Sequence, residues 1–154
     1  MLRLTKLTDY GILLLTHIAA DDARLFAAND LSNATHIPSP TVSKVLQALL
    51  GAGLLESIRG AKGGYRLTRP AAEVSVREVI DCFEGHIALT ECNLDDGECE
   101  QLPFCSTQNN WRRINGAVRD ALDSISLLDM TRKNFMPVIV LKKTEDSKSV
   151  TPCL

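Results

Sequence analysis

Three cysteines, Cys92, Cys99 and Cys105, fall within the fifteen residues "ECNLDDGECEQLPFC", which also carry five acidic side chains. Thiolates are nucleophiles, redox centres and soft metal ligands. The chain holds five cysteines, an odd number, and has no secretion signature. Metal binding or redox chemistry is therefore expected rather than structural disulfides. The spacing leaves six residues between Cys92 and Cys99 and five between Cys99 and Cys105. That is too wide for the paired Cys-x-x-Cys knuckles of zinc fingers and for the usual ferredoxin run. It suits a flexible loop wrapping a centre from three sides. Gly97 and Pro103 would supply its turns, and the acidic residues would keep it solvated.

The other candidate ligands have plainer readings. Cys82 falls in an apolar pattern with Val79, Ile80 and Phe83, the setting of a buried core cysteine. Cys153 is read as incidental. His17 and His36 read as core or surface histidines, and His86 is a minor ligand candidate beside the loop. No nucleophile–base set, phosphate-binding glycine loop or paired carboxylates stand out, so no enzyme is expected.

A chain of 154 residues, 45% apolar and 23% charged, is expected to form one compact domain, with room for an appended element. No apolar run approaches the roughly 20 residues needed to span a bilayer, and a cytoplasmic protein is expected. The net charge of −2 conceals a segregation. Residues 1–70 carry eight Lys/Arg against five Asp/Glu, residues 71–106 one against nine, and residues 107–154 eight against five. An acidic middle between basic ends argues against a uniformly basic nucleic-acid binder but permits a local basic face.

The elements that must position the cysteines are mostly helical. A first helix is expected over 8–20 and a short second one over 29–36, with Asn29 or Asp30 near its N-cap. A third starts at Ser39 as N-cap with Pro40 in the first helical position. Val42, Val45, Leu46, Leu49 and Leu50 then follow helical spacing, and Gly51 and Gly53 supply the stop. Residues 54–58 and 65–68 read as a β-hairpin around a Gly-rich turn. Ser75 with Glu78 forms a capping-box signature for a helix ending at Gly85. After the cysteines, Trp111, Ile114, Val118, Ala121, Ile125 and Leu128 alternate by three and four residues. One helix over 107–132, roughly 39 Å long, is expected to pack on a copy of itself. The remaining residues, 133–154, read as a loose tail with one strand-like run, "VIVL".

Helix, short helix, capped helix and hairpin make a winged helix-turn-helix, a mainly α fold with a small β-hairpin and an added dimerisation helix. The face opposite the apolar stripe would present Ser39, Thr41, Ser43, Lys44 and Gln47 to a DNA major groove. The hairpin tip "RGAKGG" would offer Arg59, Lys62 and the backbone N–H groups of Gly63 and Gly64 to phosphates or the minor groove. Tyr65 would brace this wing. Tri-helical domains with a hairpin also serve as protein–protein modules, so this pattern leaves that alternative open.

"LTDYGILLL", "IRGAKGGYRL", "SVREVI" and three spaced cysteines before a tryptophan-bearing helix together resemble the IscR/NsrR-type family of bacterial winged-helix regulators. The match spans about residues 1–132, and within the family it is most like the regulators of the SUF assembly system. The resemblance implies an iron–sulfur cluster, [2Fe–2S] or [4Fe–4S], held by Cys92, Cys99 and Cys105. Family members often place a histidine three residues after the third cysteine; this chain has Gln108 there. Other relatives take a carboxylate from the partner's first helix, which corresponds here to Asp9 in trans. Asp9 is equally a helix N-terminal acid favoured by the dipole, and water or a thiol could complete the set.

The expected layout is a DNA-binding domain over 1–85, a cluster loop over 86–106, a dimerisation helix over 107–132 and a tail over 133–154. The expected function is a homodimeric regulator, a repressor of iron–sulfur assembly genes, on a roughly palindromic double-stranded operator. A zinc- or thiol-based regulator and an iron–sulfur electron carrier are the competing readings.

Overall fold

The structure is a computed structural model that describes residues 3–21, 23–94 and 99–132. Helix α1 spans Lys6–Ala19, starting two residues before the expected position because the Thr5 side chain caps it by accepting the Thr8 N–H. Helix α2 spans Ala28–Thr35 after an extended Ala27 that makes no side-chain cap. Asn29 and Asp30 are thus in its first turn, where the Asp30 charge complements the helix dipole instead of capping. Helix α3 spans Ser39–Gly51. Its N-cap is Pro38, whose carbonyl accepts from Thr41 and Val42, so Ser39 is the first helical residue and not the cap. Val42, Val45, Leu46 and Leu49 are buried as the spacing predicts, with Leu50 half-buried.

Strands β1 (Leu55–Ile58) and β2 (Gly64–Leu67) pair antiparallel, Leu55 opposite Leu67 and Ile58 opposite Gly64. Phe26 adds an antiparallel bridge to Tyr65, with Phe26 N–H donating to the Tyr65 carbonyl at 3.1 Å and the reverse bond at 2.9 Å. Helix α4 spans Val76–Glu84 and carries the expected Ser75–Glu78 capping box and Gly85 stop.

The segment 107–132 is not one helix. Helix α5 spans Gln108–Asp123, about 24 Å at 1.5 Å per residue, and α6 spans Leu127–Met130. Two forces break it. Ser126 and Asp129 form a capping box of their own. The intervening backbone also pairs with the strand-like stretch before α4: Val76 N–H donates to Ile125 O and Leu127 N–H to Val74 O. Leu127 therefore enters the core, while Leu128, the expected seam residue, is 37% exposed.

One core gathers Leu14, Leu15 and Ile18 of α1, Leu31 of α2, the α3 stripe, Leu54 and Leu55, Val74 and Val79, and Leu127. Burying a side chain of this size stabilises by about 1.5–3 kcal/mol. Gly11 lets α1 approach α4 closely: a methyl there would fall 2.4 Å from the Phe83 ring. The Gly97 turn, the "VIVL" run, Cys153 and the tail lie outside the described residues.

Candidate nucleic-acid interface and thiol loop

On α3 the buried stripe fixes which side faces outward. Ser39, Ser43, Lys44 and Gln47 are exposed and Thr41 is half-buried, so the expected reading residues share the open face. Arg59 and Lys62 are exposed at the hairpin tip. Along the strands Arg66 is paired with Glu56, and after them Arg69 is paired with Glu78, so the tip cations are the ones available for phosphates.

Gly63 and Gly64 are engaged internally. The Gly63 N–H donates to the Gly60 carbonyl at 3.0 Å, closing the turn. A Cβ on Gly64 would stand 2.8 Å from the Phe26 carbonyl oxygen, so this glycine is what lets Phe26 dock on the wing. Tyr65 packs against the core as its bracing role requires. Arg24 lies over the Phe26 ring at 4.9 Å and pairs with Asp30 at 3.5 Å.

The thiol loop folds into two 3-10 turns, Glu91–Asn93 and Leu102–Phe104. Cys92, Cys99 and Cys105 are half-buried free thiols. Cys92 Sγ lies 3.2 Å from Thr90 Oγ1, which also accepts from Asn93 Nδ2 at 2.6 Å. Cys105 Sγ lies 3.4 Å from Thr107 Oγ1. The Thr107 hydroxyl, then the backbone N–H groups of Thr107 and Gln108 at the start of α5, hold the Cys105 thiol below its ordinary pKa. Phe104 is 86% exposed beside Cys105.

The donor chemistry of this loop, three free soft thiols on turns, fits an iron–sulfur group. The placement does not yet gather the donors: among the described residues no group of three or more His, Cys, Asp and Glu side chains is close enough to hold a metal ion. Asp9 is exposed in the first turn of α1 and, among the described residues, belongs to no group of three or more such side chains. Cys82 donates to the Ala48 carbonyl at 3.6 Å, and burial raises its pKa, in keeping with a core cysteine. His17 meets Phe26 edge-on at 5.5 Å, His36 ends α2 in a left-handed conformation, and His86 Nδ1 lies 3.6 Å from Asp81.

Three polar arrangements were missed from the sequence. Glu84 accepts from the Thr5 N–H at 2.8 Å and from the buried Thr8 hydroxyl, tying the ends of α4 and α1; the Thr8 bond is the main cause of its lowered pKa. Arg77 of α4 contacts Asp81 and Asp123. Asn115 of α5 bonds the backbone on both sides of Ala88. None left a trace in the sequence: Asn115 lies outside the Trp111, Ile114, Val118 frame of its helix.

Residues 4–133 match the Rrf2 family, described as an iron-dependent transcriptional regulator. The chain belongs to the Rrf2 family. Like its relatives it is a DNA-binding transcription regulator of winged-helix fold and not an enzyme, which settles the reading head against the protein–protein alternative. Among Rrf2-type relatives, protein aau3 of Rhizobium meliloti is 32% identical over 133 residues, covering 85% of this chain and 86% of the relative. The regulator NsrR of Bacillus licheniformis is 30% identical over 131 residues, covering 84% and 92%. CymR, the global cysteine regulator of B. subtilis, superposes with a TM-score of 0.68 at 27% identity, covering 85% of this chain and 97% of CymR. IscR of T. potens gives 0.64 at 25% identity, covering 84% and 85%. No helix among the described residues is long and apolar enough to cross a membrane.

Proposed function

We propose that this Rrf2 protein is a cytoplasmic homodimeric repressor whose operator affinity depends on an iron–sulfur cluster held by Cys92, Cys99 and Cys105. The observation that carries the reading is three free, half-buried thiols within residues 92–105, directly before the helix that bears an exposed apolar edge. Trp111 and Ile114 of α5 are both exposed in the single chain, and a second copy of α5 would cover them. Two such chains would present two α3 helices to half-sites about one helical turn apart.

Within this reading Cys92, Cys99 and Cys105 supply soft ligands, and Asp9 from the partner subunit completes the set. Bound there, a cluster of either type would supply an iron centre sensitive to iron supply, oxidants and nitric oxide. The chain's own part is positional. The loop leads directly into α5, and α5 contacts α4 through Arg77 and Asp123. A loop arrangement favoured in one state biases the spacing of the reading helices, and tenfold repression needs only ~1.4 kcal/mol of differential binding. Iron–sulfur assembly genes are the targets that fit a sensor of cluster supply.

A thiol switch without metal is the second reading. It is favoured by the depressed Cys105 thiol, by the absence of a gathered donor group among the described residues and by the likeness to CymR. Anaerobic purification with iron and sulfide assay separates the two. Iron with matching sulfide, lost in Cys92→Ala, Cys99→Ala and Cys105→Ala but kept in Cys153→Ala, supports the cluster. Iron-free protein whose operator affinity changes on thiol oxidation supports the switch, and stoichiometric zinc would point to a zinc-based regulator. A cluster of unchanged stability in Asp9→Ala removes Asp9 from the ligand set.

A further inference from the structure

One side chain of α5 bonds the backbone of the segment that carries the chain from α4 to the first loop cysteine. Asn115, in the middle of α5, is 5% exposed. Its Oδ1 accepts the Leu89 N–H at 3.0 Å, and its Nδ2 donates to the Ile87 carbonyl at 3.2 Å. Both faces of the amide are used, and the Leu89 N–H and the Ile87 carbonyl of this half-buried segment gain partners. The Leu89 bond ends one residue before Thr90, whose hydroxyl is the neighbour of Cys92 Sγ at 3.2 Å. At the N-terminus of the same helix, Thr107 holds Cys105 Sγ at 3.4 Å.

We propose that Asn115 is a positioning residue for the thiol loop: it ties Cys92 to the rigid helix that also holds Cys105, so two of the three thiols share one platform. A change at those sulfurs is felt by α5 itself. This rests on the reading of the loop as the sensing element, but the tether can be tested without any metal.

The test uses the full chain, metal-stripped and reduced, with iodoacetamide labelling of each cysteine followed by mass spectrometry. In Asn115→Ala the Cys92 labelling rate should rise about tenfold while those of Cys105 and Cys82 stay within twofold of the parent. Asn115→Asp, which keeps the acceptor for Leu89, should fall between. A merely structural role would raise all rates together or none. Hydrogen exchange on the parent protein gives an independent check, because the Leu89 amide should be protected to the level of the α5 backbone. A Leu89 amide that exchanges as freely as an open loop overturns the proposal even if Asn115→Ala fails to fold. Unchanged Cys92 labelling in a folded Asn115→Ala overturns it as well. Failure of the parent to retain iron would instead remove the cluster reading and leave the tether standing.

Discussion

Arg77 Nε lies 2.8 Å from Asp123 Oδ2, joining α4 to the last residue of α5. The same carboxylate accepts from Ser75 Oγ at 2.9 Å, the residue that caps α4. One acidic side chain thus fixes where the long helix ends relative to the helix beneath the reading head.

That junction has a pH signature. Burial opposes the ionisation of Asp123, but hydrogen bonds from Arg77 and Ser75 and the charges of Arg77 and Arg119 outweigh it, so its pKa lies below the ordinary 3.8. A carboxylate depressed in the folded state adds stability above its unfolded pKa and loses it as the pH falls through the folded one. Denaturation of the parent and of Asp123→Asn should therefore differ by a constant amount from neutral pH down to about pH 4. The gap should close on further acidification. A gap that widens below the ordinary value of 3.8 would contradict the assignment.

Gly64→Ala should damage DNA binding more than folding. The added methyl meets the backbone of Phe26 at 2.8–3.0 Å, and backbone cannot swing aside as a side-chain tip can. The wing must tilt away from the Phe26 bridge, taking Arg59 and Lys62 with it. An operator affinity at least tenfold lower, with helical circular dichroism retained, is the expected result from gel-shift and spectroscopic titration. Parent-like affinity would show that the bridge does not set the wing.

The exposed cations make a salt-dependence test. Each phosphate contact releases counterions and contributes about 0.9 to the slope of log affinity against log salt. Lys44→Ala and Lys62→Ala should each weaken binding to operator and to unrelated DNA alike, and lower the slope by roughly one. An unchanged slope in either variant removes that lysine from the phosphate contacts.

Neighbouring leucines test the broken helix. Leu127 is 0% exposed and Leu128 37%. Leu127→Ala should cost about 2–5 kcal/mol, the range for emptying a core leucine site. Leu128→Ala should cost under about 1 kcal/mol of chain stability. Urea titrations giving the two changes in the reverse order would favour the continuous helix that the a/d spacing predicts.

Where local chemistry and periodicity agree, the fold was legible in the sequence. The apolar stripe of α3 is buried as spaced, and the Ser75–Glu78 box caps α4 as read. The cap of α3 was misplaced by one residue because the Pro38 carbonyl, invisible to a side-chain rule, starts the helix. The break after Asp123 was hidden for a different reason. The heptad-like frame runs through Ser124–Ser126, and only tertiary pairing with Val74 and Val76 makes the Ser126–Asp129 box prevail. In the site, the types and spacing of the cysteines raised the expectation of soft-ligand chemistry. Thr90 and Thr107 each lie two residues from the thiol they meet, whereas Asn115 reaches Leu89 and Ile87 across 26 and 28 residues of chain, a contact that no local pattern encodes.

Leu127 closes the core beneath α1, although it is more than a hundred residues downstream of Leu14 and Leu15. During synthesis, the first two-thirds of the polypeptide must therefore leave the ribosome with a vacant socket in its interior. The reading head reaches its final packing only after the thiol segment has emerged and α5 has been made. Order of manufacture thus places the sulfur-bearing segment ahead of the finished core: the packing beneath α1 is complete only in a chain that already carries residues 92–105.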